Sequence, residues 1–403
     1  MLAATRNQDS TTRSRAAAKT APVVLQILPA LETGGVERGT VDIARAVVEA
    51  GWTALVASRG GPMVRDVERV GGQHIEFPAE SKNPLVMWRN VGRLSALLRE
   101  RSVDIVHARS RAPAWSALAA ARRAGVPFVT TFHGNYAAAN PLKRFYNSVM
   151  ARGDRVIAIS QFIGEQLRDR YGADPDHIRV IPRGVDTVIF DPAAVSAQRV
   201  IQIAEQWRLP DDRPVVMLPG RLTRWKGQSV LIEALARIER HGLRCLLVGS
   251  DQGRSSYRAE LEREIARLGL SDTVQIVGDC RDMAAAYMLA DVVVSASVEA
   301  EAFGRVIAEG QAMGRPVIAT DHGAARETVI PGVTGWLVPP GDAAALAAAL
   351  REALALDADA RARMARTAIQ HVRDNFTREL MCNRTMAVYR EVLAAAGRPA
   401  PWP

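Results

Sequence analysis

The sequence predicts an α/β protein made of two successive open parallel sheets, each with helices on both faces. Three observations carry this. Short β-branched apolar runs alternate with stretches of helical spacing along most of the chain. The alternation pauses around 190–207 and starts afresh at Val215, which divides it into two series. Within the second series, 291–320 reads as a complete strand, loop, helix and strand, the unit from which parallel sheets are assembled. A chain of 403 residues is long enough for two or three cores of ordinary size.

Residues 1–20 are polar and arginine-bearing with no apolar h-region, and are expected to form a disordered leader. The first strand is 23–28, ended by Pro29; Leu31 through Arg38 then makes a glycine-bearing loop into a helix at 39–50. Strands follow at 53–58 and 73–77, then at 104–107 and 126–132 after helical stretches. A strand at 154–159 meets Ser160, whose hydroxyl suits an N-cap for a helix at 161–171. In the second series a strand from Val215 runs into Gly220, and further strands lie at 244–249, 273–277, 291–295 and 315–320. Helices are expected at 257–268, from about Phe303, and in three alanine-, leucine- and arginine-rich stretches at 343–356, 358–375 and 377–396.

Composition is that of a globular protein, and no apolar run approaches the ~18 to 20 residues that span a bilayer. Cys245, Cys280 and Cys382 are scattered without C-x-x-C spacing, which indicates neither a zinc site nor a disulfide framework and points to a reducing cytosol. A net charge of +9 calls for an anionic partner: nucleic acid, an anionic membrane surface or a phosphorylated substrate each suit. The arginines are spread along the chain and do not alternate with aromatics, which are 5% of the residues, so a stacking platform for single strands is poorly supported. No helix-turn-helix, RRM or zinc spacing is visible, which leaves pI as the sole argument for a nucleic-acid-binding protein. Two stretches are more informative. Leu85, Trp88, Val91, Leu94, Leu97 and Leu98 recur at helical spacing among Arg89, Arg93, Arg99 and Arg101, and Lys143-Arg144 stand beside Phe145, Tyr146 and Val149. Each reads either as a helix resting on a membrane interface or as an ordinary surface helix with its arginines in water.

Candidate chemistry sits where strands give way to loops and helix N-termini, the places where parallel sheets bind ligands. Glu301 and Glu309 are separated by seven residues, with Ala302, Phe303, Gly304 and Arg305 at the helix start between them. One carboxylate lies on the lip of a crevice and the other further in, so an extended ligand is gripped by both while amides near Gly304 face a phosphate. Glutamates facing water are the plain alternative; against it, Glu309 lies in a helix of small residues packed on both sides, where an unpaired carboxylate is costly. Arg221 and Lys226, five residues apart after the Gly220 turn, suit the clamping of a diphosphate without a metal, or are simply a solvated basic loop. Gly34-Gly35 permits close backbone approach to a ligand but lacks the G-x-G-x-x-G spacing of a dinucleotide site. His133, after a strand in Thr130-Thr131-Phe132-His133-Gly134, is structural or catalytic, and Arg109 and Arg111 put two cations at a crevice edge.

Glu301-Ala302-Phe303-Gly304 through Glu309, followed by Ala312-Met313-Gly314-Arg315-Pro316-Val317-Ile318-Ala319-Thr320, resembles the E-x7-E signature of family 4 glycosyltransferases. Gly220-Arg221-Leu222 with Lys226-Gly227 resembles that family's G-R-L-x-x-x-K-G motif. Ile181-Pro182-Arg183-Gly184-Val185-Asp186 resembles its I-P-N-G-V-D linker with Arg183 in place of asparagine, and Phe376-Thr377 its F-[ST] before the last helix. Together these cover nearly the whole chain from Val23 to about Leu393.

The resemblance implies the GT-B fold, two Rossmann-like domains facing each other across a cleft: an acceptor domain at 21–190, a nucleotide-sugar domain at 191–376, and the helix 377–396 crossing back onto the first. It further implies a retaining transfer of a hexose from a nucleoside-diphosphate sugar, by family habit a uridine one, with no cofactor and usually no metal. Arg221 and Lys226 would neutralise the leaving diphosphate beside the Gly34-Gly35 loop, Glu309 would accept from the ribose, and Glu301 and His133 would position the sugar. Cys280 and Arg281 would seat the base, although Gly249-Ser250-Asp251-Gln252-Gly253 departs from the G-x-G that many relatives carry before it. Arg109 and Arg111 serve an acceptor phosphate or are surface charge. The charge and the two amphipathic stretches favour a lipid-linked or saccharide acceptor of the lipopolysaccharide or envelope-glycolipid kind, at the cytoplasmic membrane face. A nucleotide-sugar 2-epimerase of the same architecture is the alternative enzyme.

Overall fold

The computed structural model of the chain describes residues 21–136, 140–210, 213–239, 242–253 and 255–398; the expected leader at 1–20 lies outside them. The first sheet holds seven parallel strands, β1 (Val23–Ile27), β2 (Thr53–Ser58), β3 (Gln73–Glu76), β4 (Ile105–Ala108), β5 (Phe128–Phe132), β6 (Arg155–Ala158) and β7 (Ile178–Val180), in the order β3-β2-β1-β4-β5-β6-β7. The second holds six, β8 (Val215–Pro219), β9 (Arg244–Val248), β10 (Val274–Gly278), β11 (Val292–Ser295), β12 (Val317–Thr320) and β13 (Gly335–Val338), in the order β10-β9-β8-β11-β12-β13. Both are Rossmann-like, and both reverse direction of strand addition beside their first strand, between β1 and β4 and between β8 and β11.

Central strands are mostly apolar because helices cover both faces, with His107 in β4 and Thr130 and Thr131 in β5 as buried polar members. β4, β5, β8, β11 and β12 are buried throughout. The exception inside β1, Gln26, satisfies its amide by donating to the Thr40 carbonyl at 3.0 Å. Ser160 caps the helix Gln161–Tyr171 as expected, its Oγ accepting from Ile163 N at 3.1 Å. Two strands escaped the sequence reading: β7, three residues long and half-buried, and β13, which opens on Gly335; both are too short to show a period.

Two helix starts differ from expectation. The first helix spans Gly35–Glu49 and begins four residues earlier than the predicted 39, with Gly34 as an extended N-cap whose carbonyl accepts from Arg38 N at 3.0 Å. Glycine is a poor interior residue but a tolerated cap and first-turn residue, so its loop signal misplaced the boundary. The helix expected from Phe303 spans Arg305–Ala312, because Gly304 takes a left-handed N-cap conformation.

The last helix, Arg378–Ala395, lies against Gly35–Glu49, and its Met386, Tyr389 and Val392 share one apolar cluster with Val41, Ile43 and Val47. Tyr389 Oη is hydrogen-bonded to the buried His107 Nδ1 at 2.6 Å, and His107 Nε2 to Thr131 Oγ1 at 2.7 Å, which ties the helix to β4 and β5. Contacts also join the two sheets' halves directly. Asn135 Nδ2 donates to the Ala300 carbonyl at 3.4 Å, and Glu327 accepts from the Gln161 and Phe162 amides at 2.8 and 2.9 Å. Among the described residues no helix is long and apolar enough to cross a membrane.

Candidate active site

The loops that carry the expected residues leave the carboxyl ends of the strands flanking both reversals. Gly34-Gly35 follow β1, Arg109 follows β4, Arg221 follows β8 and Glu301 follows β11. Such crevices are where open parallel sheets bind ligands, because strand ends diverge there and helix N-termini point in. A cavity of about 620 Å³ between the halves is lined by Gly35, His133, Arg221, Lys226 and Glu301 through Val306. A second of about 400 Å³ continues along Gly34, Arg38, Arg183, Arg281 and Glu309.

Glu301 is more enclosed than a lip residue. Its Oε1 accepts from Lys226 Nζ at 2.8 Å, Ser295 Oγ at 3.1 Å and Ser297 Oγ at 2.5 Å, and the Lys226 and Glu301 side chains are 12% and 17% exposed. Burial pushes its carboxyl up, but the Lys226 ammonium and the two hydroxyls outweigh that and hold it below the usual range. Lys226 therefore pairs with the carboxylate as well as facing the cavity, while Arg221 stands exposed at the rim. Lys226 Nζ also sits 4.4 Å from the Trp225 ring centroid.

Glu309 is 7% exposed and fully partnered: Tyr287 Oη donates to Oε2 at 3.0 Å and Arg305 Nη2 to Oε1 at 2.8 Å. The buried carboxylate that the sequence marked as costly is thus neutralised from its own helix, one turn back. Burial and the neighbouring Glu309 raise the Tyr287 hydroxyl well above its usual range, so it acts as a donor. The Arg305 and Val306 amides precede the first helical bond, Ile307 N to Gly304 O at 3.0 Å, and line the larger cavity.

His133 is half-buried, with both ring nitrogens shut away from solvent and neither hydrogen-bonded. Burial first, then the Arg183 and Arg109 charges, hold it well below 6.5, so it is neutral at pH 7. Arg109 is buried at the floor of the first half. Arg111 does not join it: Nη1 donates to Asn147 Oδ1 at 2.8 Å and the guanidinium lies 3.8 Å over the Tyr136 ring, which fastens two helices. Arg281 reaches the smaller cavity, whereas Cys280 is half-buried at the edge of the apolar core behind it.

Sequence reasoning missed Trp225, Tyr136 and Asn135 as cavity residues, since Tyr136 and Asn135 belong to no motif and Trp225 fills a variable position of one. It left Arg183 without a role, although that residue lines both cavities; its signal was the arginine standing where the resembling linker has asparagine.

The chain matches the pattern of Glycosyltransferase Family 4 over residues 33–188 and that of Glycosyl transferases group 1 over 200–371. It is 32% identical over 369 residues to a D-inositol 3-phosphate glycosyltransferase of Xylanimonas cellulosilytica, covering 83% of this chain and 86% of that one. Among solved structures it is similar to a glycosyltransferase from Rickettsia africae, at 38% identity and a TM-score of 0.87, over 93% of this chain and 99% of that one. It is also similar to Anabaena HepE in complex with UDP-glucose, at 25% identity and a TM-score of 0.78, over 92% and 99%.

Proposed function

The chain belongs to glycosyltransferase family 4 and is a glycosyltransferase of GT-B fold, and on that premise we propose that it moves a hexose, with retention, from a uridine diphosphate sugar to a hydroxyl of a saccharide or lipid-linked acceptor. The observation that carries the donor side is the Lys226–Glu301 pair on the wall of a cavity opposite His133. In this reading Arg221, Lys226 and the first amides of Arg305–Ala312 stabilise charge growing on the departing diphosphate, beside Gly34 and Gly35. Removing one such donor typically costs 10²–10³ in rate. Glu301 accepts from sugar hydroxyls, Glu309 from the ribose, and neutral His133 hydrogen-bonds the sugar from the other half. The base lies along Arg281. The structure of HepE with UDP-glucose supports uridine.

The acceptor side rests on an exposed apolar surface. Leu85 and Trp88 are 70% and 74% exposed, Leu142 and Phe145 80% and 59%. Their helices flank one neighbour: Ser116 Oγ donates to Met87 O at 2.9 Å, and Trp115 Nε1 to Tyr146 O at 3.1 Å. Arg89, Lys143, Arg144 and Arg152 are exposed on or next to the same helices, which suits an anionic bilayer and a glycolipid acceptor presented there. The inositol phosphate named in the curated relatives is the second reading, favoured by sequence identity.

Thermal-shift titration with UDP, GDP, ADP and dTDP tests the donor. UDP at a hundredfold excess over Kd is expected to stabilise by about 2.7 kcal/mol, and Glu309→Ala and Lys226→Ala to lose the shift. No shift with any diphosphate refutes the reading. Product analysis with extracted envelope lipids and with inositol phosphate separates the two acceptors.

A further inference from the structure

Three guanidinium groups converge on one side of the helix Gly35–Glu49, and the transfer described above uses none of them. Arg109 comes from the end of β4 and Arg183 from the segment after β7, both in the first half, while Arg305 opens a helix of the second. Arg183 spans the row. Its Nη2 is 3.8 Å, and Arg305 Nη1 3.3 Å, from where a Cβ on Gly35 would stand. At Gly39 a Cβ would collide with Arg183 Nη1 and lie 3.0 Å from Arg109 Nη2. The helix accommodates the row because those two positions have no side chain.

Arg109 is 4% exposed and Arg183 8%. Among the described residues neither side chain forms a hydrogen bond or ion pair, and Arg109 Nε is shut away from solvent with no partner. Burial, with the like charges of Arg109 and Arg305, pulls Arg183 down to about 9, so it keeps its proton at neutral pH. Half-buried His133, both ring nitrogens unpartnered, lines the same cavity as Arg183. Arg305 is paired with Glu309, and Asp42 and Glu37 act on Arg109 and Arg183 only through space, so these two buried forks hold no direct counter-ion, and planar forks of this kind match the oxygens of a tetrahedral anion.

We propose that Arg109, Arg183 and Arg305 form a second anion subsite, separate from the Arg221/Lys226 clamp, which receives a phosphoryl group carried by the acceptor. This rests on the transferase reading. The clamp and Glu301 stand on the second sheet, whereas Arg109, Arg183 and His133 stand across the cleft on the first. Arg305, tethered to Glu309 at 2.8 Å, would link this subsite to the donor's.

The test is calorimetric titration of inorganic phosphate into the wild type, Arg183→Asn and Lys226→Ala, with and without saturating UDP. Phosphate is expected to bind the UDP-saturated wild type. Arg183→Asn should weaken phosphate by about tenfold or more and UDP by less than about threefold, with Lys226→Ala the reverse. Arg183→Asn should also unfold no more easily than the wild type without ligand, since it removes an unpaired buried charge. If it nonetheless fails to fold, Arg183→Lys, which keeps charge and loses the fork, should show the same phosphate defect. Displacement of phosphate by UDP, or phosphate binding indifferent to residue 183, overturns the proposal. Absence of UDP binding to the wild type would count against the transferase reading instead, and the phosphate arm without UDP still decides whether the subsite exists.

Discussion

Lys226 and Glu301 form a pair whose partners cannot be removed singly without cost. Lys226→Ala leaves a carboxylate that is mostly enclosed, held then by two serine hydroxyls alone. Breaking such a pair destabilises by about 3–5 kcal/mol, and discounting for the remaining exposure puts the expectation near the lower figure. The double variant Lys226→Met/Glu301→Gln should recover most of that stability in urea unfolding while staying inactive. Equal instability of the single and double variants would contradict the pair's role. His133 makes a pH prediction. Its folded-state value lies well below 6.5, so below about pH 6.5 the unfolded chain takes up a proton that the folded one refuses. Stability is therefore full above that pH and falls as pH drops, with His107, also depressed by burial, acting in the same direction. His133→Gln should make the decline between pH 6 and 5 shallower, by at most about 1.4 kcal/mol per unit, read from urea midpoints.

At the scale of elements, each strand-to-helix junction depends on a turn that few residues can make. Gly227 joins the Arg224–Lys226 turn to the helix Gln228–Leu235 at φ 69°, and a Cβ there would run into the Ala296 carbonyl. Gly227→Ala should cost about 1–3 kcal/mol and tilt Lys226 away from Glu301, visible as a lower melting temperature together with a weaker UDP shift. An unchanged UDP shift would mean that the turn does not set the clamp. Most elements were legible because strands covered on both faces write long apolar runs, and helices such as Gln161–Tyr171 and Ala358–Asn375 carry caps at Ser160 and Asp357. β7, β13 and the start of Gly35–Glu49 were not, since they depend on pairing partners and on a cap without a side chain.

Across the whole molecule, Arg378–Ala395 is the element that returns from the second half to the first. Its anchor is the Tyr389–His107–Thr131 chain, supported by Glu391, which accepts from Arg155 at 2.8 Å and Arg179 at 2.5 Å. Tyr389→Phe leaves His107 buried with one nitrogen unpaired and should cost about 1–3 kcal/mol in global unfolding. A loss confined to the last helix by hydrogen exchange, with the rest unchanged, would show that the return helix is not part of the cooperative unit.

The sequence by itself determined the two parallel sheets and their order along the chain, because strand period, caps and local spacing are properties of short segments, and its motifs marked Gly34, Gly35, His133, Arg221, Lys226, Glu301 and Glu309 as candidates. Only the tertiary structure decided which charges meet. It paired Lys226 with Glu301 across 75 positions, turned Arg111 away into helix packing, and stacked Arg109, Arg183 and Arg305, from three distant segments, beside one helix. Such encounters are fixed by strand order and by how the halves face each other. These are global features, and no local run of residues encodes them.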